Sequence, residues 1–222
     1  ALIDNKHFAL GTGQGVLLYN YQFDRFESFP AGGPGDVRSL LLVGDTLWIG
    51  SISGLYCYNT KTRKLIDYQN SFPKNKSKTA VYALEKVGDR ILIGTYNGLF
   101  ELNSSKKDIV PLPLPDYRPG SNQFVNSIFS IPESASTYVG TEYGLYRYNT
   151  KNHTLQKTPV LQNHPIKAMA SKDSNTLLVG TDDGLFTYQL DQQLVKRIKH
   201  DSRNRNSLAN NIVWSLSLIH IS

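Results

Sequence analysis

Gly140-TEY-Gly144-LYRYN decides the fold, because four other stretches of the chain repeat its form. They are Gly11-TGQ-Gly15-VLLYN, Gly50-SIS-Gly54-LYCYN, Gly94-TYN-Gly98-LFELN and Gly180-TDD-Gly184-LFTYQ. Their first glycines lie 39, 44, 46 and 40 residues apart. A period of roughly 42 residues with strand-like content marks a β-propeller, in which each repeat is one four-stranded antiparallel blade. The expected fold is therefore all-β, with about five blades present.

Working outward from the block gives the blade. Upstream of four of the blocks, and once more after the last, stands a quartet of β-branched, variable, small and aliphatic residues. The quartets are Val37-Arg-Ser-Leu40, Val81-Tyr-Ala-Leu84, Val125-Asn-Ser-Ile128, Ile166-Lys-Ala-Met169 and Val213-Trp-Ser-Leu216. This reads as the innermost strand a, its small residue leaving room for the next blade. Strand b follows and ends at the first glycine of the block. The second glycine opens strand c, where a tight hairpin asks for positive φ. The Asn that closes strand c is expected to cap the next turn and to tolerate a left-handed backbone. Strand d is clear in Lys64-Leu-Ile-Asp-Tyr68 and poorest in Ile109-Val-Pro-Leu-Pro113, where proline is tolerable only on an outermost strand. No stretch has sustained helical periodicity with caps.

On this register the blade cores fall near 1–30, 37–70, 81–115, 125–160 and 166–200. A further blade starts over 206–216, and 217–222 form a tail without a turn signal. Ala1-Leu2-Ile3-Asp4 fits the end of a strand a, so both ends carry one, and the chain reads as a segment of a larger propeller. Such a segment leaves inter-blade faces uncovered. The apolar fraction of 40%, with 13 Tyr and 9 Phe, is enough for packed blades. The one cysteine, Cys57, makes no internal disulfide and reads as a small strand residue. Net charge is +6, with basic clusters at Lys61-Thr-Arg63-Lys64, Lys106-Lys107 and Lys196-Arg197 that are expected in solvated turns. No apolar run reaches the roughly 18 residues that span a bilayer.

The repeat resembles the two-component regulator propeller family, found in the extracytoplasmic sensor regions of bacterial hybrid histidine kinases. The resemblance runs from about residue 1 to 216. It is carried by Leu47-Trp-Ile-Gly-Ser51, by Tyr138-Val-Gly-Thr-Glu-Tyr-Gly-Leu-Tyr-Arg-Tyr-Asn149 and by Asn206-Ser-Leu-Ala-Asn-Asn-Ile-Val-Trp-Ser215. The chain departs from the family pattern before strand b, where the Asp/Gly-rich turn stands only at Gly44 and Gly88. The resemblance implies a periplasmic sensor of glycan-derived ligands that signals to a histidine kinase outside this chain. Its implied partners are an oligosaccharide, neighbouring blades or a second propeller of the same parent chain, and a second protomer in a homodimer. No nucleic acid is expected to bind this segment. The alternatives are a protein-interaction scaffold without a small ligand, and a propeller glycan hydrolase or lyase.

Strand order places the b–c tips and the start of strand a on one rim. The second residue of strand a is where the copies differ: Arg38, Tyr82, Asn126, Lys167 and Trp214. With the tip residues Tyr96, Glu142, Tyr143 and Asp182 they form the candidate ligand site, polar and aromatic groups suited to hydrogen bonding and stacking. Other chemistry has little support. The carboxylates of Glu142, Asp182 and Asp183 sit in tips where exposed acids are common, and no catalytic residue is assigned. His7, His153, His164, His200 and His220 lack ligand spacing, so no metal is expected, and no cofactor is assigned. Gly11-Thr-Gly-Gln-Gly15 precedes a strand rather than a helix and is no phosphate loop.

Overall fold

The computed structural model describes residues 1–30, 33–73, 79–103, 108–115, 123–131, 134 and 136–217. They form five antiparallel sheets. The first has strands β1 (His7–Thr12), β2 (Gly15–Asn20) and β3 (Arg25–Glu27). The second has β4 (Val37–Val43), β5 (Thr46–Ser51), β6 (Gly54–Asn59) and β7 (Leu65–Asp67). The third runs through β8 (Val81–Val87), β9 (Arg90–Thr95), β10 (Gly98–Asn103) and β11 (Ile109–Leu112). The fourth has β12 (Val125–Ile131), β13 (Ser136–Thr141), β14 (Gly144–Asn149) and β15 (Thr154–Gln162). The fifth has β16 (Ile166–Asp173), β17 (Thr176–Thr181), β18 (Gly184–Gln189) and β19 (Leu194–Ile198). Every sheet keeps its strands in chain order, which is the a-b-c-d order of a propeller blade. A three-residue 3₁₀ turn at Gln69–Ser71 is the one helical element among the described residues.

The chain divides into two compact units, Ala1–Pro111 and Leu112–Ser222. In the first unit, Leu47 and Ile49 of β5 face the first blade and pack with Ala9, Val16, Tyr56 and Tyr58. Trp48, between them, faces the third blade with Leu55, Phe72, Ile93 and Phe100. A strand b is thus covered on both faces, and the period-two alternation of a half-exposed strand disappears from its sequence. In the second unit, Tyr138 and Leu145 of the fourth blade meet Met169, Leu177, Val179, Phe186 and Tyr188 of the fifth.

In four of the five blocks the first glycine stands against the next blade. A Cβ on Gly50 would lie 2.7 Å from the Val81 side chain, and one on Gly180 would lie 2.8 Å from that of Val213. Room for the next blade therefore comes from this glycine, meeting the β-branched residue that opens the following quartet. Val213 keeps this contact and its N–H donates to Thr181 O at 2.8 Å, yet 206–216 form no strand. At the other end Leu2 bridges to Phe8, and the Ala9 N–H donates to Ala1 O at 2.7 Å. The tail beyond Ser217 and the Lys106-Lys107 cluster lie outside the described residues.

Three expectations change in the turns. Strand b runs one residue past its glycine, to Ser51 or its equivalents. Asn20, Asn59 and Asn149 do cap the c–d turns: Asn59 Oδ1 accepts from Lys61 N at 3.1 Å and Thr62 N at 2.8 Å. The left-handed residue, however, is the fourth after it: Asp24, Arg63, His153 and Gln193 have φ of 49°, 56°, 53° and 53°. A four-residue connection closes with its last residue left-handed, so the Asn is free to act through its side chain. Lys196 and Arg197 lie on β19 and not in a turn. Lys61 does lie in one, 2.7 Å from Asp45.

Blade one has an uncovered face. Phe8, Tyr19 and Phe26 are cross-strand partners, as are Leu10 and Leu17, and Phe26 is 61% exposed. Contiguous apolar surface of this kind drives association. The chain expressed alone is expected to self-associate, and the double change Leu17→Glu, Phe26→Ser to reduce it. Sedimentation velocity checks this; a monodisperse monomer of the unaltered chain would contradict it.

Candidate functional site

The rim begins with the hairpin tips. Strands b and c pair through Ser51 and Gly54, Thr141 and Gly144, and their counterparts, so every tip has two residues. Gly144 sits at φ 134°, a conformation closed to side-chain-bearing residues. The residue after the first glycine is always Thr or Ser, and its hydroxyl does two tasks. Thr141 Oγ1 donates to Gly144 O at 3.1 Å and accepts from Tyr143 N at 3.0 Å. Thr12, Ser51, Thr95 and Thr181 repeat both bonds. The sequence reading passed over this clamp, although G-[TS]-x-x-G stands in all five blocks.

The variable position of strand a has a structural cause. Pairing of β4 with β5 jumps from Val37 to Ser39, that of β8 with β9 from Val81 to Ala83, that of β12 with β13 from Val125 to Ser127, and that of β16 with β17 from Ile166 to Ala168. Arg38, Tyr82, Asn126 and Lys167 are the extra residues of four β-bulges. A bulge residue is released from the ladder and its side chain re-aimed, so its identity is not dictated by blade packing. The tips close on the same rim: Ile52 N donates to Asp36 O at 3.2 Å, Tyr96 N to Ala80 O at 3.1 Å and Glu142 N to Phe124 O at 3.2 Å.

In the second unit this geometry assembles four of the nine candidate residues. Glu142 Oε1 accepts from Asn126 Nδ2 at 2.7 Å and from Lys167 Nζ at 3.1 Å. The Lys167 ammonium also lies 5.7 Å from the Trp214 ring centroid, within cation–π range. Trp214 itself is 71% exposed. A charged pair, an amide and an open indole thus share one edge of the fourth and fifth blades. Tyr143 and Asp182 stay on their exposed tips. In the first unit Arg38 turns to Asp36 at 2.8 Å, while Tyr82 is half-buried and Tyr96 exposed in the third blade.

One tip carboxylate, that of Asp183, is held by two cations. Lys199, 2.8 Å away, holds the Asp183 carboxyl below the usual carboxylate range, with Arg197 adding to the effect. Among the described residues no three His, Cys, Asp or Glu side chains gather in a metal-holding group. His7 binds Asp4, His153 meets Tyr148, and His200 contacts Leu208 O; His220 lies outside the described residues.

A rim of bulges and clamped tips on four-stranded blades defines a propeller built to present side chains. The chain is similar over 97% of its length to the extracellular domain of a hybrid two-component system from B. thetaiotaomicron, with 38% identity and a TM-score of 0.86. A second such domain from that organism matches 94% of the chain at 20% identity and TM-score 0.75, a likeness of fold. Histidine kinase P4 of Formosa agariphila is 27% identical over 172 residues, 72% of this chain. The expected resemblance to two-component sensor propellers holds. The chain spans 29% of each extracellular domain and 12% of the kinase. No family model matches it.

Proposed function

We propose that this chain is a non-enzymatic, ligand-sensing propeller segment of a periplasmic two-component sensor, and that its ligand is glycan-derived. The observation that carries the reading is the Asn126–Glu142–Lys167–Trp214 group. An exposed indole offers a stacking face for the C–H side of a sugar ring, and the neighbouring amide, carboxylate and ammonium offer directional bonds to hydroxyls. Likeness to extracellular sensor domains supports the same reading. Binding would favour one arrangement of neighbouring blades, of a second propeller or of two protomers, and so shift the equilibrium passed to a kinase. The second reading, an interaction scaffold, draws on the exposed apolar face of blade one.

An oligosaccharide panel followed by calorimetry tests the proposal. A saturable ligand is expected, bound about tenfold more weakly after Trp214→Ala or Lys167→Met. If no glycan binds or stabilises the protein, sensing of glycans falls and the scaffold reading gains. Turnover of a glycan by the protein alone would favour a hydrolase or lyase.

A further inference from the structure

At the opposite end of the fourth and fifth blades from the hairpin tips lies a cleft of about 420 Å³. Ser136, Tyr138, Arg147, Gln156, Asn175 and Tyr188 line it. Strand register explains the gathering. Tyr138 on β13 is the cross-strand partner of Arg147 on β14, which in turn is opposite Gln156 on β15. Ser136 is two residues before Tyr138 and so shares its face. Tyr188 reaches the cleft from the fifth blade, its ring in the core shared by both blades.

The polar groups here are incompletely used. Tyr138 and Tyr188 are each 4% exposed, yet no described residue hydrogen-bonds their hydroxyls. Buried tyrosines ordinarily find such a partner. Burial raises the pKa of both phenols, with the Arg147 charge partly opposing it. Both therefore remain O–H donors at neutral pH. The Arg147 guanidinium donates to Ser136 Oγ at 3.3 Å, and among the described residues it has no carboxylate partner. The third blade shows the contrast. There Arg90, also on the sheet face, closes on the buried carboxylate of Glu101. Arg147 is exposed and, among the described residues, the fourth blade pairs it with no anion; the cleft in front of it falls within the range of small-molecule sites. Asp191 stands at the exposed rim, its Oδ1 accepting from Gln192 N at 2.8 Å.

We infer that this cleft is a second binding site, for a small hydroxylated carboxylate whose carboxyl group pairs with Arg147. A carboxylate takes two parallel N–H bonds from a guanidinium. Its hydroxyls would meet the donors and acceptors of Ser136, Tyr138, Gln156, Asn175 and Tyr188. The inference does not rest on the glycan reading of the rim: the two sites share no residue.

Titration of the whole chain with glucuronate, followed by tyrosine fluorescence and calorimetry, is the test, with glucose and sulfate as comparisons. Saturable binding of glucuronate is expected, with glucose silent and sulfate weaker. Arg147→Gln should weaken glucuronate about tenfold or more, and Tyr188→Phe severalfold, at unchanged melting temperature. Lys167→Met, on the rim, should leave it unaltered. No saturation up to about 10 mM glucuronate, in the range of the weakest specific complexes, would overturn the inference. So would equal binding of glucose, or glucuronate binding that survives Arg147→Gln but is lost with Lys167→Met.

Discussion

Glu101→Leu is expected to destabilise the protein by about 3–5 kcal/mol, although the substitution is apolar and the site is buried. The Glu101 side chain is 2% exposed and its carboxylate meets the guanidinium of Arg90, 24% exposed. Leucine would fill the volume and leave a partly buried guanidinium beside an apolar surface, with only the exposed Asp89, 3.9 Å away, as an ion-pair partner among the described residues. That loss exceeds anything the carboxylate contributes by itself, because the pair's attraction is offset by the cost of taking both ions from water. The double change Arg90→Met, Glu101→Leu is therefore expected to recover most of the stability, and urea denaturation of the parent and the two variants checks it. A single variant as stable as the parent would show that Arg90 finds water when its partner goes.

Gly140→Ala is expected to cost about 1–3 kcal/mol through overpacking. The new methyl would stand 2.5 Å from Ile166 Cγ2 and 2.8 Å from Ile166 Cβ. Both belong to a β-branched residue whose χ1 is fixed by its own strand, so neither can swing aside. Ile166→Ala alone should cost about 2–5 kcal/mol by opening a cavity. Together the two should cost less than their sum, since each relieves the fault of the other. Strict additivity in thermal or urea unfolding would mean that the blades shift apart instead.

Much of the fold was legible because both recurring signals are packing signals. The glycine and the β-branched residue repeat together, and at Gly11 and Val37, Gly50 and Val81, Gly140 and Ile166, and Gly180 and Val213 they are one contact between adjacent blades. The rim was legible for the opposite reason. Arg38, Tyr82, Asn126 and Lys167 vary because they are bulge residues outside the ladder. A bulge leaves no mark in a single copy, so its position was readable and its cause was not. That Glu142 would draw Asn126 and Lys167 together, while Arg38 turned to Asp36, depends on side-chain reach across separate strands. The cleft at Arg147 was invisible for a related reason. Arg147 is exposed, as arginine at that strand position is expected to be, and its surface becomes the wall of a cleft only when Tyr188 of another repeat stands beside it.

The hydroxyl clamp beneath each tip separates what holds a tip from what the tip displays. Thr141 binds only main-chain atoms of Tyr143 and Gly144, so Glu142 and Tyr143 are held in place without their side chains being consulted. That tip behaves as a two-residue cartridge in its socket, whereas in the second blade Ser51 Oγ also meets the tip side chain of Ser53, 2.9 Å away. A lineage of such proteins can try new surface chemistry one cartridge at a time while the blade beneath stays the same, and an engineer can do so by grafting tips between repeats.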